Sequence, residues 1–335
     1  MIYNKEIAKE RNYLTQKIRD FFNENNFLEV DTPIMTPIPG MEPHLNPFET
    51  DFINPHGEKK TLYLNTSPEL QMKKLLGAGF GNIYNITKVF RNGEIGGGRH
   101  NPEFTMLEWY RTLADYNTLM EDCENLIIDL ADSHKLTFGE NEIDLSIPWD
   151  RYSVNDLFQK YCDIDLEQNK DFETFSKTAV NHQFNINGCN DWDDLFYKIF
   201  LNEIEPKLGF KKPIFVYDYP ASQAALSKKN KKNPFWAERF ELYIAGNELA
   251  NAYSELLDST EQRDRLTQEQ SLRKKLNKKV FHVDEEFLAS LKSISVPCAG
   301  IALGVDRLFM VLLNKKTIEE VLLFPLEKML NNLKP

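Results

Sequence analysis

Residues Val89 to Arg111 read VFRNGEIGGGRHNPEFTMLEWYR, and this stretch decides the fold: strand, glycine-rich loop, strand. Val89 and Phe90 lead into Arg91, and the loop that follows holds Gly93, Gly96, Gly97 and Gly98. From Phe104 to Arg111 the residues alternate. Successive side chains of a strand point to opposite faces, so Thr105, Leu107, Trp109 and Arg111 share one face. Phe104, Met106, Glu108 and Tyr110 share the other. The first set has the apolar bulk of a core. The second sets a carboxylate and a phenol among apolar groups. A buried carboxylate is costly unless it meets a cation or a hydrogen-bond donor. This face therefore carries an internal ion pair or receives a positively charged ligand.

The stretch GIALGVDRL, Gly300 to Leu308, reads as a strand running into a helix. Glycines at such a junction let a ligand approach the backbone closely. Arg307 falls in the first helical turn, where free N–H groups and the helix dipole already favour anions. Two arginines, Arg91 and Arg307, each beside a glycine-bearing turn, point to a polyphosphate site.

Taken together these residues resemble the class II aminoacyl-tRNA synthetases. Phe90-Arg91 through Phe104 resembles their second signature motif and Gly304-Val305-Asp306-Arg307 their third. The first is an amphipathic helix followed by Phe27-Leu28-Glu29-Val30-Asp31-Thr32-Pro33. The strings His100-Asn101-Pro102-Glu103-Phe104-Thr105 and Glu248-Leu249-Ala250-Asn251 are similar to the lysyl branch, and within it to the truncated relatives that lysylate elongation factor P. The three ordered motifs extend the resemblance over nearly the whole chain; one motif alone would be weak. The resemblance implies an α/β fold, α+β by a stricter label: the class II catalytic fold, an antiparallel sheet flanked by helices. It also implies a homodimer, because the first motif packs across a two-fold interface in that family.

The resemblance further assigns residues. ATP is expected at Arg91, Asn92, Glu94, His100, Asn101, Phe104, Glu248, Leu249, Gly304 and Arg307, with Arg91 and Arg307 acting in catalysis. A lysine-like amino acid is expected at Ser67, Pro68, Glu69, Glu108, Tyr110, Asn251, Tyr253, Glu255 and Ala302. Mg²⁺ is expected at Glu241 and Glu248, since paired carboxylates beside phosphates suit that ion. Each residue has a bland alternative: a surface ion pair for Arg91, a bridge to a neighbour such as Asp306 for Arg307, core packing for Phe104 and Ala302, a solvated hairpin for the two glutamates. Several pocket carboxylates would balance the two ammoniums of lysine or β-lysine, leaving Arg91 for its carboxylate. That charge count does not separate the two isomers. Strict alternation sets Glu248 on the opposite face from Asn251, Tyr253 and Glu255, so a bend or bulge is needed if all serve one site. The motif usually has Glu two residues after its arginine; here Gly93 stands there and Glu94 follows, so either one is open as the ATP contact. Asn251-Ala252-Tyr253 replaces the commoner Asn-Gly-Phe, and Ala302 replaces a glycine usual in lysyl-tRNA synthetases.

The chain has 335 residues and a formal net charge of −11. This charge argues against broad nonspecific binding to nucleic acid, which works through cations on phosphates, and leaves local basic patches open; tRNA is an unexpected partner and elongation factor P the expected one. The basic clusters Lys228–Lys232 and Arg273–Lys279 read as solvated faces or as local steering charges. Four cysteines without a C-x-x-C pair fit a reduced, cytoplasmic protein. No apolar run is long enough for a membrane. Helical spacing of Ile7, Leu14, Ile18, Phe21 and Phe22 predicts a helix over about 4–25. Thr66-Ser67-Pro68-Glu69 predicts a helix start, with Leu70, Met72, Leu75 and Leu76 as its apolar side. Leu119–Leu130 is a further helix. Pro213–Tyr219 and Arg239–Ile244 alternate as strands. One catalytic body over 1–335, with a mainly helical insertion around 150–212 and no anticodon-binding domain, is the expected organisation. The rival readings are a free-standing synthetase that charges tRNA and a non-catalytic, synthetase-like regulatory subunit; the presence of Arg91, Arg307, Glu241 and Glu248 speaks against the latter.

Overall fold

A computed structural model describes residues 4–331. The chain forms two compact units, one of residues 1–115 and 255–335, the other of residues 116–254.

The first unit is built on the helix Lys5–Glu24 and four paired strands. Asn4 caps the helix, its side chain accepting from the N–H groups of Glu6 and Ile7. Ile7, Leu14, Ile18 and Phe22 form its buried face. Phe22 stacks on Tyr84 with centroids 4.7 Å apart and meets Trp109 edge-on at 5.2 Å. Trp109 and Leu107 are fully buried, which is the core role their strand face predicts. Burial of each large apolar side chain contributes about 1.5–3 kcal/mol. The strands lie in the order Leu28–Glu29, Ile83–Phe90, Glu103–Thr112, Cys298–Gly304. The first pair is parallel and the other two pairs are antiparallel. A small sheet of Met35–Thr36, Lys59–Leu64 and Glu49–Ile53 lies outside them.

The helix Glu69–Gly77 packs Met72 and Leu76 against Val30, Ile83 and Tyr110. Its buried residues are Glu69, Met72, Lys73 and Leu76, while Leu70 and Leu75 are only half-buried. Leu75 packs against the same cluster, so the apolar side read from the sequence holds for Met72, Leu75 and Leu76. Spacing of i, i+3, i+4 and i+7 defines the inward face, and here it carries two charges as well as two apolar groups. The helix Glu285–Ser293 packs against it where Gly77 leaves room: a Cβ there would lie 2.6 Å from the Ser290 carbonyl oxygen. Lys74 ties the two helices, its Nζ 2.8 Å from both Asp284 and Glu286.

The second unit orders its strands Asn247–Ser254, Trp236–Ile244, Ile214–Pro220, Asp150–Ser153. The first two pairings are antiparallel and the last is parallel. Helices Val154–Cys162, Phe172–Asn181 and Trp192–Ile199 enclose an aromatic core. Phe158, Phe196 and Phe200 stack in its centre, and Phe200 meets Tyr219 and Tyr243 from the strands at 6.1 and 6.5 Å. Among the described residues, no helix is long and apolar enough to cross a membrane.

Candidate active site

In the first unit, Glu108 stands mid-strand between Asn85 on one neighbour and Ala302 on the other. Tyr110 faces Gly300, and Met106 faces Gly304. The strand 298–304 thus presents only small residues opposite the Glu108 face, and Tyr110 and Glu255 close over Gly300. Gly300 is needed for close approach: a Cβ there would lie 2.3 Å from Tyr110 Cε1 and 2.5 Å from Glu255 Oε1. Glu108 is 1% exposed. It accepts a hydrogen bond from Ser67 Oγ at 2.9 Å and one from the Tyr110 hydroxyl at 2.7 Å. Ser67 in turn accepts from the Glu69 N–H at 3.1 Å, while Pro68 caps the helix without a side-chain bond. Burial and the nearby Glu69 carboxylate push the Glu108 carboxyl well above the usual range, and its two donors do not offset this.

Sequence reasoning missed the cation at the centre of this pocket. Lys73 Nζ lies 2.5 Å from Glu69 Oε1 and 2.5 Å from Glu255 Oε2. Burial alone would lower the Lys73 pKa, but the Glu255 and Glu69 carboxylates outweigh it and hold the ammonium charged. The Glu69–Lys73 spacing of four along a helix is the one signal that could have found it. Glu255 is held by its N–H on the Cys298 carbonyl at 2.9 Å. Its Oε1 is buried and has no hydrogen-bond donor.

A small cleft is lined by Ser67, Glu69, Asn65, Glu42, Gly40 and further residues of the same unit. Burial, then Glu69, raises the Glu42 pKa. Arg273, 2% exposed, straps the loop that bears Glu42, donating to the carbonyls of Glu42 at 2.7 Å and Leu45 at 3.1 Å. The cluster Arg273–Lys279 is therefore no simple solvated face. Arg273 is turned inward, and Lys279 pairs with Glu49 at 2.9 Å.

The glycine-rich loop carries the arginine. Arg91 Nε donates to the Thr66 carbonyl at 3.3 Å, and its guanidinium lies 5.2 Å from the Phe104 ring centroid. Glu94 Oε1 is 3.8 Å from Arg91 Nη1, whereas Gly93 takes a left-handed φ of 90° in open space. Asn92 is exposed, with its N–H on the Asn46 carbonyl at 2.7 Å. Asn101 is buried, and its amide is committed to the Glu103 carbonyl at 2.6 Å and the Leu326 N–H at 2.9 Å.

Gly304 caps the helix Val305–Leu312, which puts Arg307 in the first turn. Asp306 fixes that turn. Its Oδ1 pairs with Arg11 at 2.7 Å and its Oδ2 accepts from the Thr105 N–H at 2.6 Å. Arg307 donates from Nε to the Arg99 carbonyl at 3.3 Å, with Nη2 2.9 Å from His100 Nε2. Burial and the adjacent Arg307 charge lower the His100 pKa, which keeps its ring neutral and able to accept.

In the second unit, Ala245 and Gly246 form a two-residue turn, both with positive φ. Glu241 pairs with Asn251 and Arg239 with Tyr253. Between Leu242↔Ala250 and Tyr243↔Glu248 the register shifts, and Leu249 is the extra residue. This bulge supplies the bend that strict alternation lacked within this unit: Arg239, Glu241, Tyr243, Glu248, Asn251 and Tyr253 share one face. Glu241 is already well occupied. Its Oε1 accepts from Arg239 at 2.6 Å, and its Oε2 accepts from the Tyr219 and Tyr243 hydroxyls, each at 2.6 Å. One acceptor direction remains on Oε1.

A buried acidic pocket on a sheet, an arginine leading a glycine-rich loop and another in a helix's first turn define a nucleotide-dependent activating enzyme of the class II type. The chain belongs to the class II tRNA synthetase family (D, K and N), which it matches over residues 3–328. It is a class II ligase in its fold and motifs. Among curated proteins it is 40% identical over 312 residues to the Elongation factor P--(R)-beta-lysine ligase of Mannheimia succiniciproducens, covering 93% of this chain and 92% of that one. The proteins of the same name from Haemophilus influenzae and Hamiltonella defensa are each 39% identical, over 319 and 317 residues, covering 95% and 94% of this chain and 94% and 93% of theirs.

Proposed function

We propose that this protein uses ATP to activate a lysine-like diamino acid, (R)-β-lysine before lysine, and transfers it to the ε-amino group of a lysine on elongation factor P. The observation that carries the substrate class is the excess of negative charge around Lys73. Glu69 and Glu255 share one ammonium, Glu108 beside them is held by Ser67 and Tyr110, and Glu255 Oε1 has no donor among the described residues. Two ligand ammoniums supply what the pocket lacks. The names of the relatives support the acceptor and the β isomer.

Arg91 neutralises the substrate carboxylate and the α-phosphate as they approach. Phe104 offers a flat face to adenine, and Arg307, oriented by Arg99 and His100, meets the terminal phosphate. Asn92, Glu94 and the Gly304 turn border the nucleotide, while Asn101 shapes the loop from behind. The carboxylate oxygen bonds to the α-phosphorus as the bond to pyrophosphate breaks. The acceptor amine then bonds to the carbonyl carbon, AMP leaves, and the amine's proton passes to solvent. Positioning and charge stabilisation carry both steps, and no protein nucleophile is needed.

Mg²⁺ belongs to the same reading. Among the described residues, no group of three or more His, Cys, Asp or Glu could hold a metal, but Mg²⁺ keeps several waters and takes one or two carboxylates. Glu248, with the remaining direction of Glu241 Oε1 on the same face, fits that need. When bound, the ion neutralises phosphate oxygens. Leu249, Asn251 and Tyr253 keep the binding roles that the family resemblance gives them. A homodimer, a cytoplasmic location, a single catalytic body with the helical stretch 150–212 inserted, and no use of tRNA complete the proposal.

The test is ATP–pyrophosphate exchange with (R)-β-lysine, lysine and neutral amino acids, followed by mass spectrometry of elongation factor P. Exchange with the diamino acids and one added aminoacyl mass are expected. Equal exchange with a neutral amino acid overturns the charge argument. Efficient charging of tRNA with no mass on the factor overturns the acceptor.

A further inference from the structure

The proposed reaction gives no task to the cation buried in the amino-acid pocket. Lys73 is 1% exposed, its stem is packed in the helix Glu69–Gly77, and its ammonium is shared between two carboxylates of different elements. The charged and titratable groups facing it are Glu69 on its own helix, Glu255 beyond it, Glu108 and Tyr110 on the strand 103–112, and Cys298 on the strand 298–304.

We propose that Lys73 is a resident counter-cation that sets the net charge of the amino-acid pocket, and so the number of ammonium groups a substrate must bring. This deepens the function proposed above and rests on it. Burial pushes Glu108 and Glu255 up to about 8; once ligand ammoniums hold all three carboxylates ionised, they and the one lysine leave two negative charges, which match a diamino acid whose carboxylate is met by Arg91. Without Lys73 the pocket would carry a third negative charge, or hold a proton to avoid it.

A purely structural ion pair does not account for the arrangement. A buried pair made for packing satisfies its own oxygens, because an unmatched buried charge costs more than the pair returns. Here one ammonium serves two carboxylates and leaves Glu255 Oε1 without a donor. Glu108 is met only by the neutral donors Ser67 and Tyr110. The protein's own groups stop short of neutrality, and the shortfall lies where the substrate is expected. Lys73 is a positioning residue: it acts through Glu69 and Glu255.

The experiment measures the KM for lysine and for (R)-β-lysine in pyrophosphate exchange from about pH 7 to about pH 9.5, a window that brackets the raised carboxylates of Glu108 and Glu255. Lys73→Met, Lys73→Gln and Lys73→Arg are compared with the wild type. Loss of one neighbouring positive charge raises carboxylate pKa values by about a unit or more, so KM at neutral pH rises about tenfold in the Met and Gln variants. It falls back toward wild type as pH rises and the extra proton leaves. Lys73→Arg keeps the wild-type pH dependence. Superimposable KM profiles for wild type, Met and Gln overturn the inference while leaving the proposed function standing. Absence of amino-acid-dependent exchange in the wild type removes both. Should the neutral variants not fold, calorimetry on the wild type in two buffers decides. Binding of 6-hydroxynorleucine, which lacks the side-chain ammonium, should take up close to one proton more than binding of lysine. Equal proton uptake overturns the charge count.

Discussion

Gly300→Ala tests the pocket geometry most directly. The new Cβ would lie 2.3 and 2.6 Å from Tyr110 ring carbons and 2.5 Å from Glu255 Oε1. Carbon atoms settle at about 3.5–4.0 Å, so the Tyr110 ring must retreat by more than about 1 Å. That shift breaks the 2.7 Å bond from the Tyr110 hydroxyl to Glu108, and the ring has little space, being 2% exposed. Overpacking a core costs about 1–3 kcal/mol, and losing a hydrogen bond to a buried charged group adds about 1.5–3 kcal/mol. The combined loss is about 2.5–6 kcal/mol, less whatever Glu108 recovers by holding a proton. Urea unfolding at constant m-value measures it, and pyrophosphate exchange should show a raised KM for the diamino acid beside a nearly unchanged KM for ATP. A variant within about 0.5 kcal/mol of wild type, a range typical of surface changes, with unchanged exchange, would refute the claim that Tyr110 and Glu255 close over Gly300.

Further outcomes follow from other parts of the first unit. Arg307→Ala should lower kcat/KM for exchange by about 10²–10³ while the unfolding midpoint stays near wild type; an unfolded variant would refute a role at the phosphates. Asp306→Ala leaves Arg11 with the Val321 carbonyl alone of these two partners and takes the acceptor from the Thr105 N–H, so it should cost about 1.5–3 kcal/mol in denaturant titration; a loss under about 0.5 kcal/mol, the range of surface changes, would mean that Asp306 does not lock the turn. Ala302→Gly, opposite Glu108, removes one methyl and should change the preference between lysine and β-lysine by about 1–3 kcal/mol in kcat/KM ratio; an unchanged ratio assigns Ala302 to packing alone. Glu269 is pushed up to about 8 by burial, then by Glu42 and Glu69. In the window between the ordinary carboxylate value and that pKa, the native state binds more protons than the unfolded one, so stability falls as pH rises. Thermal unfolding from pH 5 to 9 should show Glu269→Gln flattening this decline, and parallel profiles would refute it.

The elements were legible where local pattern and tertiary need agree. Period-two alternation marks the strand 103–112, and the glycines mark the loop whose φ values are positive. What stayed hidden depends on partners distant in the chain. Lys73 looks like a solvent-facing lysine on a helix with four apolar residues, and Glu255, distant in the chain, joins Glu69 in holding it inward. The bulge at Leu249 has no local signal because it exists only as a cross-strand register shift. Glu241 reads as an open ligand, yet three donors that converge through folding already hold it. Arg273 sits in a basic run but is buried, since three backbone carbonyls meet it, those of Glu42, Leu45 and Lys279.

The first unit is discontinuous, and this governs how it can assemble during synthesis. Residues 116–254 are one unbroken stretch, with helices, a hairpin and an aromatic core available from neighbours in sequence. Arg11, Thr105, Arg99 and His100 are made long before Asp306 and Arg307. Contacts of such long sequence separation form slowly, since the loop between them must close first. The early segment therefore emerges with a sheet edge still unpaired at Glu103–Thr112 and with Glu108 unaccompanied by Glu255. During that interval it is the part of the nascent chain most exposed to mispairing, and the continuous stretch that follows is the part able to fold while it waits.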